Sequence, residues 1–259
     1  MKSGATEPLP VAGGMQLPLT RKLGEMMPLS EDEAAILNGL QANPRSIERH
    51  RDVITEGRNY ASIFAVLEGI GIRYRILRDG RRQIINLVLP GDVVGFMAAA
   101  FENTPYSTKS LTPMTISTIP FARISSLFQS SPQLVAKLLC VFSCETAVHI
   151  EHIVDLGRRS ALERIAHFFM ELLYRLQAVG MADERAYAIP LTQELIGDAL
   201  GLSVPHVNRV LRRLREENLV VIEDQRVTIK DVAALAELAD FEPGYLRRFA
   251  IRQMLEEAA

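Results

Sequence analysis

Between Ser203 and Arg215 the chain carries four arginines and no carboxylate, although its 259 residues have a formal net charge of −2. Positive charge is therefore concentrated in one short segment, as contact with phosphate requires. At helical spacing Val207, Val210, Leu211 and Leu214 fall on one side of that segment. Val204, His206, Asn208, Arg209, Arg212 and Arg213 are left on the other. A short polar front with arginines behind it suits a helix that enters a major groove. A second constellation, Cys140, Cys144, His149 and His152, has the residue types of a metal, haem or redox site. On a helix turning about 100° per residue, the cysteines lie within about 40° of each other and the histidines point roughly 80 to 140° away from Cys144. One helix cannot close such a site. The cysteines are expected to be small, half-buried apolar residues, and no metal is expected.

The elements around the arginines agree with a reading helix. Thr192 is placed to cap a first helix whose Leu195, Ile196, Ala199 and Leu200 point inward. Gly197 leaves room for a close crossing, and Gly201 suits a turn with positive φ. Ser203 is placed to cap the second helix, with Pro205 tolerated in its first turn. The apolar-rich runs Leu219 to Ile222 and Arg226 to Ile229, separated by Glu223-Asp224-Gln225, read as a hairpin wing. A helical hairpin with a merely solvated basic face would need no such wing.

Helix, turn, helix and wing together resemble the DNA-binding domain of the Crp/Fnr superfamily, bacterial helix-turn-helix transcription regulators named for the cyclic-AMP receptor protein. The resemblance runs from about Leu19 to Ile229. It is closest to members with a His-Val-Asn-Arg recognition helix and a Gly-Arg-Arg-Ser joint, here His206 to Arg209 and Gly157 to Ser160. It implies a homodimeric, sequence-specific regulator that is not an enzyme, with double-stranded DNA as partner and RNA polymerase as a further one. Carried over, Val204, Pro205, His206 and Arg209 contact base edges. Arg209 is the candidate for a bidentate contact to guanine, and Asn208 shares the exposed face. Arg212 and Arg213 are placed for phosphates, as are Thr192 and Ser203 at the helix starts.

The remaining chain fits an α+β protein with an N-terminal cyclic-nucleotide-binding-like β-roll (jelly roll), a long dimerisation helix and a C-terminal winged helix-turn-helix. The expected divisions are a disordered tail at 1–18, the sensor roll at 19–132, the dimerisation helix at 133–157, the winged domain at 158–232 and a helical extension at 233–259. A capping box is expected at Ser30 and Glu33. Hydrophobic content of 48% and charged content of 23% are those of a soluble globular protein. No apolar run reads as a membrane span and the N-terminus lacks a secretion signal, so a cytoplasmic setting without membrane contact is expected. No phosphate loop, nucleophile elbow or catalytically spaced carboxylate pair argues for an enzyme. The competing class is a small-molecule-binding protein whose winged domain mediates protein contacts.

Along the long helix, Val135, Leu139, Phe142, Thr146, His149, Ile153 and Leu156 recur at alternating four and three spacing, a dimer seam. A second stripe, Leu134, Leu138, Val141 and Val148, is expected to pack on the roll. For the roll, the resemblance places the effector pocket near Phe96, Tyr106, Ser107 and Lys109. Cyclic-nucleotide binders carry a Gly-Glu pair and a later arginine there. This chain has Gly95-Phe96 and no arginine beside Tyr106-Ser107, and Lys109 cannot reproduce the bidentate fork. Burying a phosphate without such a partner is costly. An iron–sulfur cluster needs about four cysteines, and the chain has two. Neither cofactor is expected.

Overall fold

The computed structural model describes residues 16–247. The expected tail, up to residue 15, and the end of the extension, 248–259, lie outside the described residues. The tail was expected to reach 18, but a helix, α1 (Pro18–Met26), already starts there, with Pro18 in its first turn and Leu19, Leu23 and Met26 buried. In α2 (Glu31–Leu40), Ser30 and Glu33 form the reciprocal capping box that their spacing predicts.

Eight strands then build the roll: β1 (Pro44–Ile47), β2 (Asp52–Ile54), β3 (Ser62–Glu68), β4 (Gly71–Ile76), β5 (Arg82–Val88), β6 (Val93–Val94), β7 (Ser107–Ser110) and β8 (Met114–Pro120). They pair antiparallel in two four-stranded sheets, ordered β1-β8-β3-β6 and β2-β7-β4-β5. Ile54, Val66, Val88, Val94, Ile116 and their neighbours fill the space between them. The turn joining β4 to β5 is closed by Gly80 at φ +84° and by Arg81 N donating to Asp79 Oδ1 at 3.1 Å. A short helix, α3 (Phe96–Ala100), lies between β6 and β7.

After α4 (Phe121–Ser130) comes α5 (Pro132–Gly157), the expected long helix. Leu134, Leu138, Val141 and Val148 are buried as the second stripe requires. On the opposite side Leu139 is 53% exposed, Ile150 55% and Ile153 69%. The exposed row of α5 differs from the row expected for the seam. Thr146 and Leu156 do lie exposed with Leu139 and Ile153, but Val135 is buried. Phe142 packs 4.6 Å from the Phe96 ring, and His149 is half-buried. The roll takes a broader stripe of α5 than expected, so Ser143 and Ile150 replace Phe142 and His149 in the exposed row. The most apolar 18-residue window of α5 has a mean hydropathy of 1.4, enough to pass for a membrane span by length and composition alone. Its apolar surface is divided between the roll and the exposed row. Its Lys137, Glu145 and Glu151 are held in ion pairs by Glu33, Arg73 and Arg159.

Ser160 and Glu163 form a second capping box, which starts α6 (Ala161–Gln177). The winged motif follows: β9 (Ala186–Ala188), α7 (Gln193–Leu200), α8 (Val204–Glu216), β10 (Val220–Glu223) and β11 (Arg226–Ile229), with sheet order β10-β11-β9. Asp231 caps α9 (Val232–Ala239), and α10 (Gly244–Arg247) reaches back to α5, where Cys144 Sγ meets the Tyr245 carbonyl at 3.1 Å. One apolar cluster joins Ile72, Ile84 and Leu87 of the roll to Phe169, Leu173, Ile196 and Leu200.

Candidate nucleic-acid interface

The reading motif is assembled as its residue types dictate. Thr192 accepts from Leu195 N at 3.1 Å through its side chain, the expected cap of α7. Gly201 ends α7 at φ +66°, a conformation that favours glycine. A Cβ on Gly197 would stand 2.5 Å from the Leu202 carbonyl oxygen, so only glycine lets the turn close over α7. Ser203 is the N-cap of α8 by backbone alone: its carbonyl accepts from His206 N and Val207 N. Its side chain makes no capping bond, contrary to expectation. That hydroxyl stays on an exposed residue.

Val207, Val210 and Leu214 are buried beneath α8, with Leu211 half-buried. Val204, Pro205, Asn208, Arg209, Arg212 and Arg213 are all exposed, and His206 is half-buried among them. The cations are not equivalent. Arg213 pairs with Glu217 at 2.7 Å, and Arg212 approaches Glu216 at 3.7 Å, each one turn on. Arg209 forms no ion pair among the described residues, so no carboxylate would have to be released for an anion to reach it. Asn208 donates from Nδ2 to Gln193 Oε1 at 3.3 Å, which joins the two helices across the front of the motif. The wing tip turns through Asp224 and Gln225, both at positive φ, which matches the twist of the flanking strands.

The four expected pocket residues of the roll do not converge. Side chains alternate across a strand, so Tyr106 points into the roll while Ser107 and Lys109 take the other face of its sheet. Tyr106 lies under the Arg73 guanidinium, 4.8 Å from ring centroid to Cζ, and burial raises its pKa. Ser107 accepts from Glu56 N, and Lys109 lies over the Tyr74 ring. Phe96 packs between Phe121 and Phe142, away from the roll's interior. The sequence reading missed the polar group that does face the interior. Arg73, paired to Glu145 at 2.6 Å, stands beside Asn86 and Thr108 on neighbouring strands. Its signal was an arginine within an otherwise strand-like run. Cys140 and Cys144 are buried, and burial pushes the Cys144 thiol up to about 11. His152 is engaged by Glu171 and the Ile85 carbonyl, so cysteines and histidines serve different neighbours.

A β-roll joined through one long helix to a winged helix-turn-helix with an open basic face defines a class of DNA-binding regulator. Residues 163–238 match the Crp-like helix-turn-helix domain, and residues 44–131 match the cyclic nucleotide-binding domain. The anaerobic regulatory protein of Pasteurella multocida is 30% identical over 211 residues, covering 82% of this chain and 77% of that protein. The transcriptional activator protein FnrA of Stutzerimonas stutzeri is 28% identical over 87% of this chain and 89% of its own length. The structure of FixK2 from Bradyrhizobium japonicum superposes with a TM-score of 0.68 at 24% identity, covering 76% of this chain and 96% of that one. The chain belongs to the Crp/Fnr family and is a DNA-binding transcription regulator. That family consists of transcription regulators rather than enzymes.

Proposed function

We propose that this regulator binds a two-fold operator as a homodimer, with the exposed row of α5 as the dimer contact and Arg209 as its chief base-reading residue. The observation that carries the reading is the open face of α8, on which Arg209 stands unpaired among the described residues. Leu139, Thr146, Ile150 and Ile153 supply the seam, since a helix with both faces apolar buries the second one against a partner. His206 and Asn208 flank Arg209 in the groove, while Arg212, Arg213, Thr192 and Ser203 meet phosphates. Val204 and Pro205 offer no side-chain hydrogen bond, so discrimination rests on the later residues.

The His206-Val207-Asn208-Arg209 sequence and the Gly157 to Ser160 joint support assignment to a subgroup of the family that shares them. Its roll takes neither cyclic AMP in the mode of the cyclic-AMP receptor protein nor an iron–sulfur cluster. Phe96 is packed between two rings, Arg73 is already matched by Glu145, and two buried thiols are too few for a cluster. The protein works in the cytoplasm beside the chromosome, with RNA polymerase as the second macromolecule it meets.

Selection of bound fragments from a random DNA pool tests this reading. It should return an inverted repeat with half-site centres about one helical turn apart, in complexes that weaken steeply with salt. Recovery of no preferred sequence at moderate salt would overturn it.

A further inference from the structure

The first helix of the reading motif is gripped by the sensor domain, through residues that lie outside α8. Arg82 opens β5, and its Nε and Nη2 reach Asp198 Oδ2 of α7 at 2.8 and 2.7 Å. Glu194, one turn earlier, lies 3.7 Å from the same guanidinium. The next residue, Gln83, donates from Nε2 to the Ala199 carbonyl at 3.1 Å. The last carbonyls of a helix need partners from outside it. Here β5 serves Ala199, and Arg164 of α6 serves Leu200 at 3.1 Å. Beneath these polar contacts, Ile84 and Leu87 of β5 share an apolar cluster with Ile196 and Leu200 of α7.

We propose that Arg82 is a positioning residue for DNA recognition: by gripping Asp198, the β4–β5 hairpin fixes the tilt of α7 and α8, and so the separation of the two recognition helices in the dimer. This rests on the reading of the chain as a dimeric operator-binding protein. Two half-sites on one duplex demand one separation. Recognition helices free to wander must be ordered on binding, and that ordering weakens the complex. An arginine clamped on a carboxylate is directional, where a lysine would act as a point charge. Neither Arg82, Gln83 nor Asp198 lies on α8, so removing the grip leaves every proposed base and phosphate contact in place. The grip also gives the roll a route to the reading motif that bypasses the Gly157 joint, since any change of twist in the β4–β5 sheet is passed straight to α7.

The test uses the full chain and the operator selected from the random pool. Wild type, Arg82→Ala, Asp198→Asn and the swapped pair Arg82→Glu/Asp198→Arg are compared by fluorescence anisotropy. The probes are the operator, the same half-sites respaced by one and two base pairs, and a single half-site. Each single substitution should weaken operator binding roughly tenfold. Single half-site binding should stay unchanged, the penalty for altered spacing should shrink, and the swap should restore both affinity and spacing preference. Thermal melting checks folding, and the near-isosteric Asp198→Asn carries the comparison if Arg82→Ala unfolds. Unchanged affinity and spacing preference in both single variants would overturn the proposal. An equal loss on operator and half-site would do the same, because it marks a damaged motif rather than a misplaced one. A wild-type protein that selects no operator defeats the underlying reading before any variant is made.

Discussion

His152 Nε2 stands 2.8 Å from Glu171 Oε2, across the joint between α5 and the DNA-binding domain, while its Nδ1 stands 3.0 Å from the Ile85 carbonyl. Both neighbours are acceptors, an arrangement that favours donation from both ring nitrogens and so the protonated imidazole. Burial opposes that charge, but the Glu171 carboxylate and the two hydrogen bonds outweigh it and raise the His152 pKa. Burial likewise opposes the Glu171 charge, yet His152 and Arg175 bring its pKa down to about 2. Three elements, α5, β5 and α6, therefore meet at one buried ion pair.

Stability should depend on pH with a definite sign. The raised His152 contributes fully below its ordinary value of 6.5, and its contribution is lost as pH rises through the higher folded value. Glu171 contributes above its ordinary 4.5 and loses its contribution as pH falls toward 2. For this pair the plateau lies between those ordinary values, and the urea midpoint should fall on the alkaline side of it. His152→Gln should lower the plateau and flatten the alkaline limb. If that limb keeps its slope in the variant, another group causes it.

The exposed row of α5 should be separable from its buried stripe. Ile153→Asp places a charge on a residue that is 69% exposed in the single chain, so the protomer should fold and melt normally. Light scattering should nevertheless find it monomeric, with operator binding greatly weakened. Val135→Asp, by contrast, buries an unpaired charge against the roll and should cost several kcal/mol of stability. An Ile153→Asp protein that remains a dimer would show that the contact lies on another face.

The contrast between these two residues marks what could be read in advance. Local signals held: Thr192 capping α7, Gly201 in the left-handed turn and the wing at Glu223-Asp224-Gln225 are decided within a few residues of themselves. The exposed row of α5 needed more, because Val135 and Ile153 share the same repeat but face different neighbours. Only the folded roll shows how wide a stripe of α5 it covers. The helix at Pro18–Met26 was hidden by its proline-rich surroundings, and the three-residue strand β9 exists only because β11 offers it a partner. The expected effector residues lie apart for a related reason. Tyr106, Ser107 and Lys109 are neighbours in sequence but point to different faces of the sheet, whereas Arg73, Asn86 and Thr108 come from three strands and meet in register.

Cyclic AMP should fail to bind at micromolar concentrations. The residue that follows the Gly95 turn is Phe96, held between Phe121 and Phe142, and no unpaired arginine faces the roll's interior among the described residues. A cyclic phosphate placed there would be buried without its cation. Calorimetry that finds micromolar or tighter binding would refute this, and Arg73→Ala would then show whether its guanidinium leaves Glu145 for the phosphate.

Arg209 and Arg213 lie one turn apart on α8, yet their substitutions should differ in kind. Arg209 forms no ion pair among the described residues and follows the polar front of the helix, so it is free to reach a guanine edge with two of its guanidinium nitrogens. Arg213 is held at 2.7 Å by Glu217 and must exchange that carboxylate for a phosphate, which makes its net gain small and independent of sequence. Arg209→Ala should therefore cost about 1–3 kcal/mol on the selected operator and flatten the preference at one base pair. Arg213→Ala should weaken all sequences alike and lower the salt slope by roughly one unit. Anisotropy titrations at several salt concentrations, on operator and scrambled DNA, separate the two. Equal losses on both DNAs for Arg209→Ala would make that residue a phosphate anchor and move sequence reading to His206 and Asn208.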